Sequence, residues 1–242
     1  MNTTVSESNG FSFTEEEVAG MIDVAAVQSA SSLSDIDTMV SIADRFNCGA
    51  VFALGEMTRY AAELLKPINE RRTNGGNRPI RLGGVVGFPD GGALIEVKQY
   101  EAKRLLELGC VELDMVQNIG WAVSGQWEMI ETEIRDIKAI IGDKTLKVIL
   151  ECPYLTDGQI VKSAQMAANG GADWIKTSTG WPVNKTTVDH VRLIKQAVGD
   201  RCKIKAAGGV RSLEILQNLY EAGTRQFGVS ARNVPQILSS IK

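Results

Sequence analysis

Ala172-Asp173-Trp174-Ile175-Lys176-Thr177-Ser178-Thr179-Gly180 is the stretch around which the rest of the chain is organised. Residues 172–175 read as a short buried strand entered from a helix that ends at Asn169-Gly170-Gly171, which leaves Lys176 at the carboxyl end of the strand, where it emerges from the core. A polar turn, Thr177 to Gly180, follows at once. Burying an ammonium is costly unless it is paired or gives up its proton, and a lysine that gives it up is a nucleophile at neutral pH. A second strand, Lys203-Ile204-Lys205-Ala206, repeats the arrangement and runs into Gly208-Gly209. If the two strands are neighbours, two lysines meet in one pocket and each lowers the other's pKa.

The same unit recurs on both sides of this stretch. A first strand is expected to begin at Met21-Ile22-Asp23, and further strands at 50–54, 82–86, 111–116, 146–150, 174–176, 203–206 and 225–229. The helices between them are expected from a cap at Ser34-Asp35, at 58–70, from Ala93, and at 127–141, 159–168, 188–198 and 213–222, with a closing helix from Val234. In the helix after Ala93, the residues expected to face inward are Ala93, Val97, Tyr100, Ala102, Leu105, Leu106 and Leu108. Residues 71–78, polar and rich in Gly and Asn, read as a loop. The strand–helix unit repeats about every thirty residues, with helix ends marked by glycine. That pattern specifies a parallel sheet with right-handed crossovers, and at this length a single closed (β/α)8 barrel. The barrel is expected to span 13–242, after a polar tail at 1–12 and a short capping helix over Thr14 to Gly20.

The 242 residues, 44% of them hydrophobic, suffice for one large core. A net charge of -3 supplies no basic footprint for nucleic acid. No apolar run approaches the roughly 18 residues of a membrane span, and Met1 to Glu17 lacks the charge and apolar pattern of a targeting segment. Cys48, Cys110, Cys152 and Cys202 are widely spaced in or beside apolar stretches and read as reduced core residues. The expectation is a cytoplasmic protein.

Barrel chemistry sits at the carboxyl ends of strands, and Asp23, Asp114, Glu151, Lys176 and Lys205 all meet that condition. Any one of them alone could be a structural ion pair. Two lysines and several carboxylates converging on one mouth favour a site. Glu112, Lys147 and Lys203 share strand parity with the residue two places on and are assigned to a lower, structural charged layer. The turn Gly208-Gly209-Val210-Arg211-Ser212 opens a helix and, with Gly228-Val229-Ser230-Ala231, makes the anion site expected after strands seven and eight, where Arg232 could add charge. No G-x-G-x-x-G opens a helix, so a dinucleotide is not expected. His190, the sole histidine, lacks a ligand-spaced partner and reads as a surface or helix-packing residue; no histidine is placed to serve a Ser or Cys nucleophile.

Val86-Gly87-Phe88-Pro89-Asp90-Gly91, Glu112-Leu113-Asp114-Met115-Val116, Leu146 to Glu151, Ile175 to Gly180 and Lys205 to Arg211 together resemble the deoxyribose-phosphate aldolase family, in order and at matching spacing from about Ile22 to Ala231. The resemblance implies a metal-free, cofactor-free class I aldolase, a lyase that joins acetaldehyde to glyceraldehyde 3-phosphate. It places the Schiff base on Lys176, a perturbing cation on Lys205 and proton handling on Asp114. Asp23, Glu151, Thr177, Gly208, Gly209 and Ser230 are expected to bind substrate or its phosphate. A homodimer is the family's habit. The departures lie in the first quarter, where Asp23-Val24-Ala25-Ala26 lacks the family's threonine hydroxyl and Phe52 and Gly55 replace its Cys and Pro. A paralogous Schiff-base aldolase for a different sugar phosphate is therefore the second reading, and a non-catalytic sugar-phosphate binder the third.

Overall fold

The computed structural model describes residues 13–241; the expected tail at 1–12 lies outside the described residues. Eight parallel strands close into a barrel in sequence order: β1 (Ile22–Ala26), β2 (Ala50–Ala53), β3 (Arg81–Val86), β4 (Glu112–Val116), β5 (Thr145–Ile149), β6 (Trp174–Lys176), β7 (Lys203–Ala207) and β8 (Gln226–Ser230). Outside them run α1 (Glu15–Gly20), α2 (Leu33–Arg45), α3 (Gly55–Asn74), α4 (Ile95–Glu107), α5 (Ile119–Val123), α6 (Trp127–Ile141), α7 (Asp157–Asn169), α8 (Val188–Val198), α9 (Leu213–Glu221) and α10 (Val234–Leu238). The expected (β/α)8 barrel with its N-terminal helix is present. None of the described helices is long and apolar enough to cross a membrane. All four cysteines are free and buried.

Local chemistry explains most boundaries. Thr14, Ser32, Thr156 and Thr187 each start a helix with a reciprocal capping box. Ser32, not Ser34, caps α2, because Asp35 at the third helical position returns a bond to the Ser32 backbone. His190 fills that third position in α8, its Nδ1 accepting from the Thr187 amide at 3.3 Å.

Two expectations fail for tertiary reasons. The loop expected at 71–78 begins only after Asn74, since α3 continues through Pro67 to Asn74. Its last turn is held by Arg72, which is buried and donates to Asp44, Asn47 and the Arg78 carbonyl. On α4, Val97 and Tyr100 are exposed and Lys98 is fully buried. Lys98 donates to the Val116 carbonyl at 3.0 Å and to buried Glu133 of α6. A satisfied ion pair thus takes a core position that apolar residues were expected to fill. The short helix α5 was not anticipated.

The barrel interior differs from the usual filling of branched aliphatic side chains. Around β1 to β3 there is an apolar patch, with Val27, Ala50, Phe52 and Val85 packed together and Ala25, Leu54 and Phe88 against them. The rest is ionic, built mainly from β4, β5, β6 and β7 and joined by Asp23 of β1 and Arg81 of β3. Lys147 lies at the bottom of this ionic part, 2.7 Å from Glu112 and 3.0 Å from Asp23, with Arg81 at 3.1 Å from Glu112. Glu112 and Lys147 therefore do form a lower charged layer. Lys203 does not join it: it is exposed, with its ammonium 5.4 Å from the centre of the Trp174 ring.

Candidate active site

In the parallel register of β6 and β7, Lys176 stands opposite Lys205. Side chains that share strand parity and height enter the barrel side by side, and a fully buried carboxylate receives both of these. Oδ2 of Asp114 accepts from the Lys176 ammonium at 2.7 Å and from Lys205 at 2.8 Å. Lys205 also lies 2.6 Å from Asp23, which in turn accepts from Lys147 and from the Gln226 amide at 2.9 Å. The remaining oxygen of Asp114, Oδ1, carries no hydrogen bond among the described residues and is 4.0 Å from Lys147. Gln226 Oε1, in the same cluster, likewise carries none, and Asp114 is fully buried beneath the cleft and is not among the residues that line it.

Burial is the main influence on the Lys176 amine and pushes its pKa down. Asp114 opposes that shift, Lys205 reinforces it, and the amine settles at about 8. Burial alone would raise the Asp114 carboxyl, but the charges of Lys176, Lys205 and Lys147 outweigh it and hold the group well below the usual carboxylate range. That depression belongs to the state with Lys176 charged; once Lys176 is a free amine, the foremost of those charges is gone and Asp114 becomes the better base. Lys147 behaves oppositely: burial disfavours its charge, yet Asp23, Glu112 and Asp114 together keep its pKa above the ordinary value. The cluster therefore contains one lysine poised to lose its proton and one locked as a cation.

A cleft of about 800 Å³ opens above this cluster. Asp23, Lys176 and Lys205 line it, as do Gly208, Gly209 and Ser230 at the β7 and β8 end. Gly208 and Gly209 have φ of +89° and +100°, a region that strains other residues. A Cβ on Gly209 would meet the Lys185 side chain at 2.9 Å. Lys185, Arg211 and Arg232 line the same end, and none of the three makes an ion pair among the described residues. Sequence reasoning did not single out Lys185, whose loop shows no local signal for this position.

Glu151 and Thr177, expected among the substrate contacts, do not line the cleft. Glu151 adopts φ +59° after β5 and turns its carboxylate to the Thr179 amide at 3.0 Å and to the Thr179 hydroxyl. The Thr177 hydroxyl receives the Ala207 amide at 3.1 Å and pairs with Thr186 at 2.8 Å. Both residues shape the turn that follows Lys176 from behind the wall.

The sequence pattern of the DeoC/LacD family aldolases matches residues 3–234. The chain belongs to that family. It is an aldolase, and so a lyase. A deoxyribose-phosphate aldolase of Klebsiella pneumoniae is 35% identical over 229 residues, which cover 95% of this chain and 89% of the relative. One from Lactococcus lactis is 36% identical over 210 residues, 87% of this chain and 91% of its own. Among solved structures, the aldolase QR15 superposes with a TM-score of 0.82 at 30% identity, covering 92% of this chain and 95% of its own. The tetrameric deoxyribose phosphate aldolase of Aeropyrum pernix superposes with a TM-score of 0.81 at 26% identity, covering 94% and 92%. This aldolase thus shares its barrel along nearly the whole chain with those relatives.

Proposed function

We propose that this aldolase reversibly cleaves 2-deoxy-D-ribose 5-phosphate to acetaldehyde and D-glyceraldehyde 3-phosphate through a Schiff base on Lys176. The observation that carries the reading is the pair of ammoniums sharing one carboxylate oxygen, at 2.7 and 2.8 Å, with the pKa of one of them brought to about 8. At neutral pH a usable fraction of Lys176 is a free amine. It adds to C1 of the open-chain sugar, and loss of water leaves a protonated imine. Asp114, directly or through a water, takes the proton of the C3 hydroxyl. The C2–C3 bond then breaks, its electron pair moving into the imine to give an enamine, and glyceraldehyde 3-phosphate departs. A proton delivered to the enamine carbon and addition of water release acetaldehyde and restore the amine. Lys205 acts as a charge and not as a nucleophile, because its own ammonium is held between Asp23 and Asp114.

The phosphate is assigned to the turn at Gly208 and Gly209 and to Ser230, at the N-terminal side of α9. The second reading, a different phosphorylated aldehyde, draws on the rim at Ala25, Ala26 and Phe52, which offers no side-chain hydroxyl to the cleft. As for setting, we assign the enzyme to the cytoplasm as a homodimer, with the exposed Leu94, Val97 and Tyr100 of the α4 flank as an apolar surface available to a second copy.

Borohydride reduction with acetaldehyde tests the chemistry: one adduct is expected, on Lys176. An adduct mapped to Lys205 or Lys203 would refute the assignment.

A further inference from the structure

We propose that Trp181 sets the size of the carbonyl compound that condenses with Lys176, by roofing the β1 to β3 side of the pocket; the inference rests on the Schiff-base reading above. Trp181 follows Gly180, whose φ of +89° reverses the chain directly after the Lys176 turn. Its backbone N–H donates to the Thr179 hydroxyl at 3.1 Å, and Glu151 grips Thr179 in turn. From there the side chain reaches across the barrel mouth. The indole N–H donates to the Val27 carbonyl, after β1, at 2.8 Å. The ring meets Phe88, after β3, edge to face, with centroids 5.9 Å apart and planes at 82°. Strands 1, 3 and 6 are not neighbours in the barrel, so a single indole ties together three loops that share no other strand contact.

Val27 packs with Phe52 and Val85, with Ala25 and Phe88 against them. Trp181, Val27, Phe52, Val85 and Ala25 form an apolar patch in the cleft wall, with Ser31, Asp35 and Thr38 lining the cleft beyond it. The anion-binding end lies across the cleft at Gly208, Gly209 and Ser230, so the sugar phosphate chain extends away from the indole. C2 carries the bond to C3 and so points along that chain, and its remaining C–H positions, where an extra carbon would sit, are assigned to the apolar side. Because Trp181 is bonded both at its amide and at its indole nitrogen, the ring cannot swing aside without losing a hydrogen bond. The site therefore accepts the two-carbon aldehyde and turns away carbonyls with one more carbon. A single methylene against a fixed wall is worth about 10- to 200-fold in discrimination.

Imine capture on the intact enzyme tests this. The free amine adds to the carbonyl, water leaves, and hydride from borohydride converts the imine to a secondary amine that no longer hydrolyses; the rate of adduct formation is read by mass for acetaldehyde and for propanal. The wild type is expected to favour acetaldehyde at least about tenfold. Trp181→Ala is expected to erode that preference about tenfold or more, and Trp181→Phe, which keeps a ring but no N–H, to fall between. Trp181→Leu serves in place of the alanine variant if that protein does not fold. An unchanged preference in a variant that still forms the acetaldehyde adduct overturns the filter alone. Absence of any adduct on wild-type Lys176 overturns the Schiff-base reading and the filter with it.

Discussion

Removing the charge of Lys205 is the sharpest test of the two-lysine arrangement. Both ammoniums donate to the same oxygen of Asp114, at 2.7 and 2.8 Å, so the two charges are at most about 5.5 Å apart. At an effective dielectric near 20, two unit charges at that distance repel by about 3 kcal/mol, equivalent to about 2 pH units. Lys205→Met keeps the length of the stem and removes the cation. The ammonium of Lys176 is then favoured, so its pKa rises from about 8 towards about 10. At pH 7 the free-amine fraction falls from about 10% to about 0.1%, and kcat/KM should fall about a hundredfold on that ground alone. The acid limb of the pH profile moves upward by about 2 units, and part of the activity returns at alkaline pH. Lys205→Arg, which keeps the charge, should leave the limb near its original place. Initial rates of deoxyribose 5-phosphate cleavage between pH 6 and 10, normalised to folded protein by circular dichroism, would decide. An acid limb that stays put in Lys205→Met would refute the claim that Lys205 depresses Lys176.

Asp114→Asn removes the charge that favours the Lys176 ammonium, so the amine should stay free at lower pH and the imine with acetaldehyde should still form. Turnover should drop by orders of magnitude for want of a base; near-normal turnover would move that role to Asp23. Deoxyribose 5-phosphate should exceed unphosphorylated deoxyribose in kcat/KM by at least about a hundredfold, since two charge-assisted hydrogen bonds at about 1.5 kcal/mol each suffice for that ratio. Equal values would remove phosphate from the assignment. Gly83→Ala should destabilise the barrel by about 1–3 kcal/mol in chemical denaturation, because the new Cβ would lie 2.2 Å from the Phe52 ring. That ring lies under the Lys205 ammonium at 4.0 Å, so activity should suffer too, and adding Phe52→Leu should recover part of the stability.

The barrel was legible in the sequence because its signals are local: a short apolar run, a glycine-marked helix end and a capping residue each lie within a few positions of the element they define. Lys176 closes β6 as the same reading expected, whereas Asp114 and Lys205, also read at strand ends, lie in the middle of β4 and β7 and so reach the barrel interior below its mouth. Who meets whom inside the barrel was decided by the closed sheet. Asp114 contacts lysines 62 and 91 residues away, and Asp23 contacts Lys147 across 124. The inward turn of Lys98 on α4 was hidden because its partner Glu133 lies on another helix, and only a satisfied charge makes a lysine suitable for a core position. Glu151 and Thr177 were legible as strand-end polar residues, but whether they face the cleft or brace its wall depends on where Thr179 and Ala207 come to rest. Trp181 had no periodic or motif signal for its role. Its significance arises from a hydrogen bond across 154 residues, made possible because the barrel brings the loops after strands 1, 3 and 6 over one mouth.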